Sequence, residues 1–203
     1  ARRRADREAG GFESLSPARL PAVLAGVRAL AAPWVQERAT AEKGFSLGAF
    51  SEDYVAQFPV AVVRNEGSVV AFANLWPTST REELSIDLMR FGPDAPRSAM
   101  DYLFVELMLW ARAEGYRWFN LGMAPLSGLE RRALAPIWHR MGSFLFSHGE
   151  SFYNFEGLRR YKEKFQPQWE PRYLASPRGL QLPRVLYDVS TLISGGLLGL
   201  VRK

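Results

Sequence analysis

Pro59–Phe91, PVAVVRNEGSVVAFANLWPTSTREELSIDLMRF, decides the fold. Pro59–Arg64 and Ser68–Trp76 are two strand patterns rich in Val, Ala and aromatic residues. Asn65-Glu66-Gly67 between them is a compact turn containing glycine, so the pair reads as a hairpin. Pro77–Arg81 is a polar loop, and Glu82–Phe91 is the third strand of a meander. Within that strand the alternation puts Leu84, Ile86 and Leu88 on one face and Ser85 and Asp87 on the other. Arg90 stands three residues from Asp87, so a regular strand would point the two side chains opposite ways. A bulge or strand end near Met89 would let them act together, and bulges are common beside functional sites. The alternative is a surface ion pair at a strand end.

Downstream, Arg97–Glu114 carries Met100, Leu103, Phe104, Leu107, Met108 and Ala111 at helical spacing, with Gly115 as its stop signal. Arg117–Met123 is the next strand. Asn120 and Gly122 lie at its end, in NLGMAP, where they would either line a site or make a tight turn. After a loop with Pro125 and Gly128 comes a predicted helix through Trp138, then a short segment at Phe144–Phe146. Ser151–Ala175 reads as a helix, a stop at Pro167 and a strand over Trp169–Leu174. Phe155, Leu158, Tyr161 and Phe165 share one arc of that helix, and Lys162 falls inside the arc. A lysine there either snorkels its ammonium to water or points it into a cavity that supplies a partner. Glu156 and Arg159 flank it as a charged rim or as a surface pair.

Upstream, Arg2–Glu8 is a short charged helix ended by Gly10-Gly11, and Phe12–Leu15 is a short strand. Ser16 with Pro17 opens a helix whose stripe is Leu20, Val23, Leu24, Val27, Leu30 and Ala31. Pro33 is expected to interrupt it, with a second helix over Trp34–Glu42, and Ser51 caps a short helix ending near Gln57. Pro183 to about Ser194 reads as an amphipathic helix followed by Gly195-Gly196, suited either to an interface between membrane and water or to packing on a neighbouring domain.

The chain has 203 residues, 47% hydrophobic and 13% aromatic, enough for a real core. It has no cysteine, which excludes disulfides, thiolate metal sites and a cysteine nucleophile. Two histidines, His139 and His148, make a histidine-rich metal centre implausible, and neither a metal nor a cofactor is expected. The net charge of +5 favours anionic partners weakly. Phosphate-loop, dinucleotide, nucleophile-elbow and zinc-protease motifs are absent. Without an initiator methionine, the chain reads as part of a longer protein.

The run FYNFEGLRRYKEKFQPQWEPRYLA, with FNLGMAPLSGL (Phe119–Leu129), LSIDLMR (Leu84–Arg90) and EKGFSLGAF (Glu42–Phe50), resembles the C-terminal part of the aminoacyl-phosphatidylglycerol synthases, the multiple peptide resistance factor family. The resemblance implies transfer of lysine or alanine from aminoacyl-tRNA to phosphatidylglycerol in an anionic membrane. It implies a parent protein with transmembrane and companion domains, working at the cytoplasmic face of the bacterial inner membrane. Asp87 and Arg90 match a pair of functional residues in that family, and Lys162 matches another; Asn120, Gly122, Glu156 and Arg159 are added here as candidate substrate contacts. The element order is α+β, a mostly antiparallel mixed sheet flanked by helices. Both the order and the resemblance lead to the expectation of a GNAT-like acyl-CoA N-acyltransferase fold. Residues 1–15 would then belong to a preceding element, 16–182 to the transferase domain and 183–203 to a C-terminal amphipathic helix. Phe91-Gly92-Pro93-Asp94-Ala95-Pro96-Arg97 departs from the phosphate loop of acyl-CoA enzymes, which argues against acetyl-CoA as donor. The rival functions are acyl-CoA-dependent or Fem-type peptidoglycan aminoacylation and a non-catalytic membrane-surface module.

Overall fold

A computed structural model describes residues 11–37, 50–124 and 155–173, together with 181, 184, 185, 187 and 188. The chain divides into two compact units, Ala1–Asn120 with Leu174–Lys203, and Leu121–Tyr173.

The first unit is built on a five-stranded sheet in the order β1-β2-β3-β4-β5. Its strands are β1 (Gly11–Leu15), β2 (Val60–Asn65), β3 (Ser68–Pro77), β4 (Glu83–Phe91) and β5 (Trp118–Asn120). The first four are antiparallel neighbours, and β5 joins β4 in parallel. A parallel neighbour needs a crossover, and the helix Ala99–Ala113 supplies it. The expected hairpin forms as a two-residue turn, with Glu66 and Gly67 both at positive φ (49° and 84°), the primed geometry that matches strand twist.

Helices cover both faces of the sheet. α1 (Leu24–Glu37), preceded by a 3-10 helix at Pro17–Ala22, and α2 (Glu52–Val55) lie on one face. There Leu20, Val23, Val27, Leu30 and Val55 pack on Val60, Val62, Phe72 and Leu88. α3 (Ala99–Ala113) lies on the other, with Tyr102, Leu103, Leu107 and Ala111 against Ala61, Val63, Ala71, Ala73, Leu75 and Leu84. Burial on both sides explains why β2 and β3 read as continuous apolar runs rather than alternating ones. α3 ends in a Schellman motif, in which the Tyr116 N–H donates to the Ala111 carbonyl and the Gly115 N–H to that of Arg112. Ser51 caps α2 as expected, its Oγ accepting the Tyr54 N–H at 3.1 Å, worth about 1 kcal/mol.

Four expectations are corrected. Pro33 does not break the upstream helix, because α1 runs through it to Glu37; the missing Pro33 N–H costs one rung, and the stripe buried on the sheet holds the helix together across it. Leu88 does not share a face with Leu84 and Ile86, for a reason given below. Trp169–Tyr173 is not a strand: residues 166–173 have no regular secondary structure, 168–173 are exposed, and Pro171 has no N–H to give a ladder. Lastly, the sheet is mixed and flanked by helices, but the acyl-CoA N-acyltransferase fold is not the fold of this chain. The turn after β4 lacks a pyrophosphate cradle, which needs free backbone N–H groups. The Gly92 N–H donates to the Val70 carbonyl and the Ala95 N–H to that of Gly92, while Pro93 and Pro96 have none.

In the second unit, α4 (Phe155–Glu163) is followed by a turn, and Gln166 takes a left-handed conformation (φ 52°) immediately before Pro167. The helix therefore stops where the proline restricts it. The expected helix through Trp138, the segment at Phe144–Phe146 and the N-terminal helix lie outside the described residues. Of the C-terminal helix, residues 184, 185, 187 and 188 are helical.

Candidate functional site

The D-x-x-R segment is organised by a register shift. Ala73 pairs with Met89 and Leu75 with Ile86, so Asn74 of β3 faces two residues, Asp87 and Leu88. This is a β-bulge, and it resets the alternation. Before it, Leu84 and Ile86 pack on the α3 side; after it, Met89 does, while Leu88 joins the α1 side. Arg90 pairs with Phe72, a residue of the α1 side. Asp87 reaches that same side, where its Oδ2 accepts the Tyr54 hydroxyl proton at 2.6 Å. The bulge thus brings Asp87 and Arg90 to one face, as joint action of the pair requires. Arg90 Nη1 also donates to the Met89 carbonyl at 2.9 Å.

Tyr54 sits on α2, stacked edge-on to Phe58, which in turn contacts Trp76 at 6.1 Å between ring centroids. Its pKa is raised, first by burial, then by the hydrogen bond to Asp87 and by the charge of Asp87; Trp76 and Asn74, as donors toward the same oxygen, oppose this. Tyr54 is therefore held as a protonated donor to Asp87. Asn74 has no exposed surface. Its Oδ1 accepts the Leu88 N–H at 2.6 Å, the donor that the bulge removes from the ladder. Left unpaired, such a buried group would cost about 1–3 kcal/mol.

In the second unit, Lys162 is 8% exposed. The expectation that it lies inside the apolar arc of its helix is met, and it does not snorkel. Its Nζ donates to the Met123 carbonyl at 2.8 Å. Among the described residues no carboxylate pairs with it, and burial pushes its pKa down. Gly122 belongs to the same corner. Its φ is 76°, and a Cβ there would stand 3.6 Å from Lys162 Nζ, so the chain turns tightly against the ammonium where other residues would be strained.

The remaining candidates behave differently. Asn120, in the first unit, gives its amide N–H to Glu83 Oε1 at 3.0 Å, tying β5 to β4. Arg159 pairs with Glu163 at 2.8 Å and lays its guanidinium over the Trp169 ring at 4.8 Å. Glu156 is in α4, but its side chain lies outside the described residues. Sequence reasoning missed Tyr54 and Asn74. Tyr54 carries no local signal. Asn74 does, as a lone amide in the apolar run VVAFANLW.

The family model for the C-terminal part of phosphatidylglycerol lysyltransferase matches residues 1–176. The chain belongs to that family. It is 38% identical over 192 residues to phosphatidylglycerol lysyltransferase of Bacillus subtilis, a match covering 94% of this chain and 22% of the relative. The chain therefore spans about a fifth of the length of the curated relatives it matches. The crystal structure of a C-terminal domain described as a lysylphosphatidylglycerol synthetase, from Agrobacterium fabrum, superposes with a TM-score of 0.80 at 46% identity, over 97% of this chain and 58% of that one. L-PGS of Bacillus licheniformis gives 0.74 at 38% identity, over 95% and 57%. The fold is that of the synthase family, which overturns the acyl-CoA N-acyltransferase assignment. Among the described residues, no helix is long and apolar enough to cross a membrane, and no cluster of His, Asp and Glu could hold a metal ion.

Proposed function

We propose that this chain is the aminoacyl-transferring part of a protein that moves lysine or alanine from aminoacyl-tRNA to phosphatidylglycerol. The observation that carries this reading is the family match across residues 1–176, which includes the D-x-x-R pair and Lys162. A hydroxyl of the lipid glycerol attacks the aminoacyl ester carbonyl, and a tetrahedral oxyanion forms. The bond to the tRNA ribose oxygen then breaks, and that oxygen takes the proton released by the attacking hydroxyl. One ester replaces another, so the step is nearly balanced. Catalysis then consists mainly of positioning the substrates and stabilising charge.

Asp87, steadied by Tyr54, suits the α-ammonium of the aminoacyl group. Arg90 suits a phosphate. Lys162 spends one N–H on Met123 and keeps two for a phosphate or the oxyanion. Gly122 leaves the space beside its ammonium clear. No side chain is assigned as general base, and the departing ribose oxygen suffices. Lysine or alanine on the lipid would reduce the negative charge of the membrane and with it the attraction of cationic peptides. Since aminoacyl-tRNA is cytoplasmic, the parent protein would work at the inner face of the membrane, with companion domains outside this chain holding it there.

The test is to incubate the full-length protein with phosphatidylglycerol vesicles and individually charged tRNAs, then identify the lipid product by mass spectrometry. An aminoacylated lipid formed from one charged tRNA is the expected result. No aminoacyl lipid from any charged tRNA would overturn the reading.

A further inference from the structure

We propose that Asn74 is a positioning residue: its side-chain amide stands in for the rung missing at the β4 bulge and thereby fixes Asp87 and Arg90 on one face of the sheet. The proposal rests on the functional assignment of that pair.

Asn74 lies between Ala73 and Leu75, both fully buried, and is itself without exposed surface. Asparagine is disfavoured in such a strand, so its amide needs a reason to be there. The register supplies one. Asn74 is the single residue opposite Asp87 and Leu88, and its Oδ1 takes the Leu88 N–H. A backbone N–H can only donate, so the atom facing it is the amide oxygen, and Nδ2 points the other way. Nδ2 is buried and makes no hydrogen bond of its own. One carboxamide therefore holds the bulge through Leu88, and the other residue it faces is Asp87, the partner of Tyr54. An apolar residue of the same size would strand the Leu88 N–H. The strand would then gain by closing the bulge, and a slip of one residue sends Asp87 and Arg90 to opposite faces.

The experiment uses the full-length protein carrying Asn74→Leu, which keeps the volume and removes both ends of the amide, and Asn74→Asp, which keeps an acceptor for Leu88. Two readouts are taken. The first is the midpoint of the Tyr54 phenol titration, followed by carbon NMR on tyrosine-labelled protein and assigned with Tyr54→Phe. The second is kcat and KM for transfer. In Asn74→Leu the Tyr54 midpoint should fall below its wild-type value, because Asp87 has left it while burial still holds it above that of free tyrosine, and kcat should drop about 30-fold or more with the KM for lipid unchanged. In Asn74→Asp the midpoint should stay raised and kcat should recover to within about tenfold of wild type. A Tyr54 midpoint at or above the wild-type value in Asn74→Leu, with wild-type kcat, overturns the proposal and reduces Asn74 to core filling. If Asn74→Leu does not fold, Asn74→Asp decides: loss of the raised midpoint there overturns the proposal, and its retention supports it. The titration does not depend on turnover. A wild-type protein that transfers nothing would therefore sink the functional reading while the Tyr54 shift still tests Asn74.

Discussion

The β4 bulge and the Lys162 corner solve the problem of a buried polar group in opposite ways. Around the bulge, polar groups pair with one another, Asn74 Nδ2 excepted: Tyr54 donates to Asp87, Asn74 accepts from Leu88, and Arg90 donates to the Met89 carbonyl. At the corner a single cation has one carbonyl and, among the described residues, no counter-charge. Mutual pairing of this kind orients the members of a constellation relative to one another. An under-satisfied cation is energetically poor in the empty protein and is improved by an anion that arrives. The first region is organised to orient, the second to receive negative charge.

The largest effect should come from breaking the first. Asp87→Asn keeps an oxygen to accept the Tyr54 proton but removes the charge. Transfer should fall about a thousandfold, a barrier change of about 4 kcal/mol, with the melting temperature almost unchanged. A large loss of stability with activity retained would make Asp87 part of the scaffold and erase the contrast. Next comes Lys162→Met, expected to fold normally and melt slightly higher while losing about a hundredfold in kcat/KM. Lys162→Arg should rescue it poorly, because the planar fork is larger and hydrated differently. Wild-type turnover in the methionine variant would leave the corner only a packing role.

The pH dependence of stability sharpens the comparison further. Burial lowers the Lys162 pKa, so the unfolded chain binds that proton more tightly than the folded one. Wild-type stability should gain as pH rises from the depressed folded value to the ordinary lysine value. The advantage of Lys162→Met should shrink across that window in paired thermal melts, and a constant gap would contradict the burial argument. For Tyr54, whose pKa is raised, the sign reverses. Its contribution is complete below the ordinary tyrosine value and is lost as pH climbs through the folded one. Tyr54→Phe should reduce transfer about tenfold by loosening Asp87. The smallest effect belongs to Arg159 and Trp169, an exposed stacked pair whose separation by Trp169→Ala should cost about 0.5–1 kcal/mol, read as a shift in the denaturation midpoint.

Much of this was legible in the chain itself. The hairpin, the cap at Ser51, the stop at Gly115 and the place of Lys162 on the apolar face of its helix depend on spacing over a few residues, since the periods of helix and strand are local properties. The family motifs pointed to Asp87, Arg90 and Lys162 before any geometry was known. Three things were not legible. Pro33 stays helical because a sheet packs against its helix. Trp169–Tyr173 has strand composition, but Pro171 within it leaves a gap in any ladder. Above all, the side of the sheet on which Asp87 and Arg90 stand is decided by Asn74, 13 to 16 positions earlier on a neighbouring strand. Alternation along β4 predicts opposite faces. Only the pairing of two strands shows that one residue of β3 faces two of β4, because register is a property of the pair and not of either sequence.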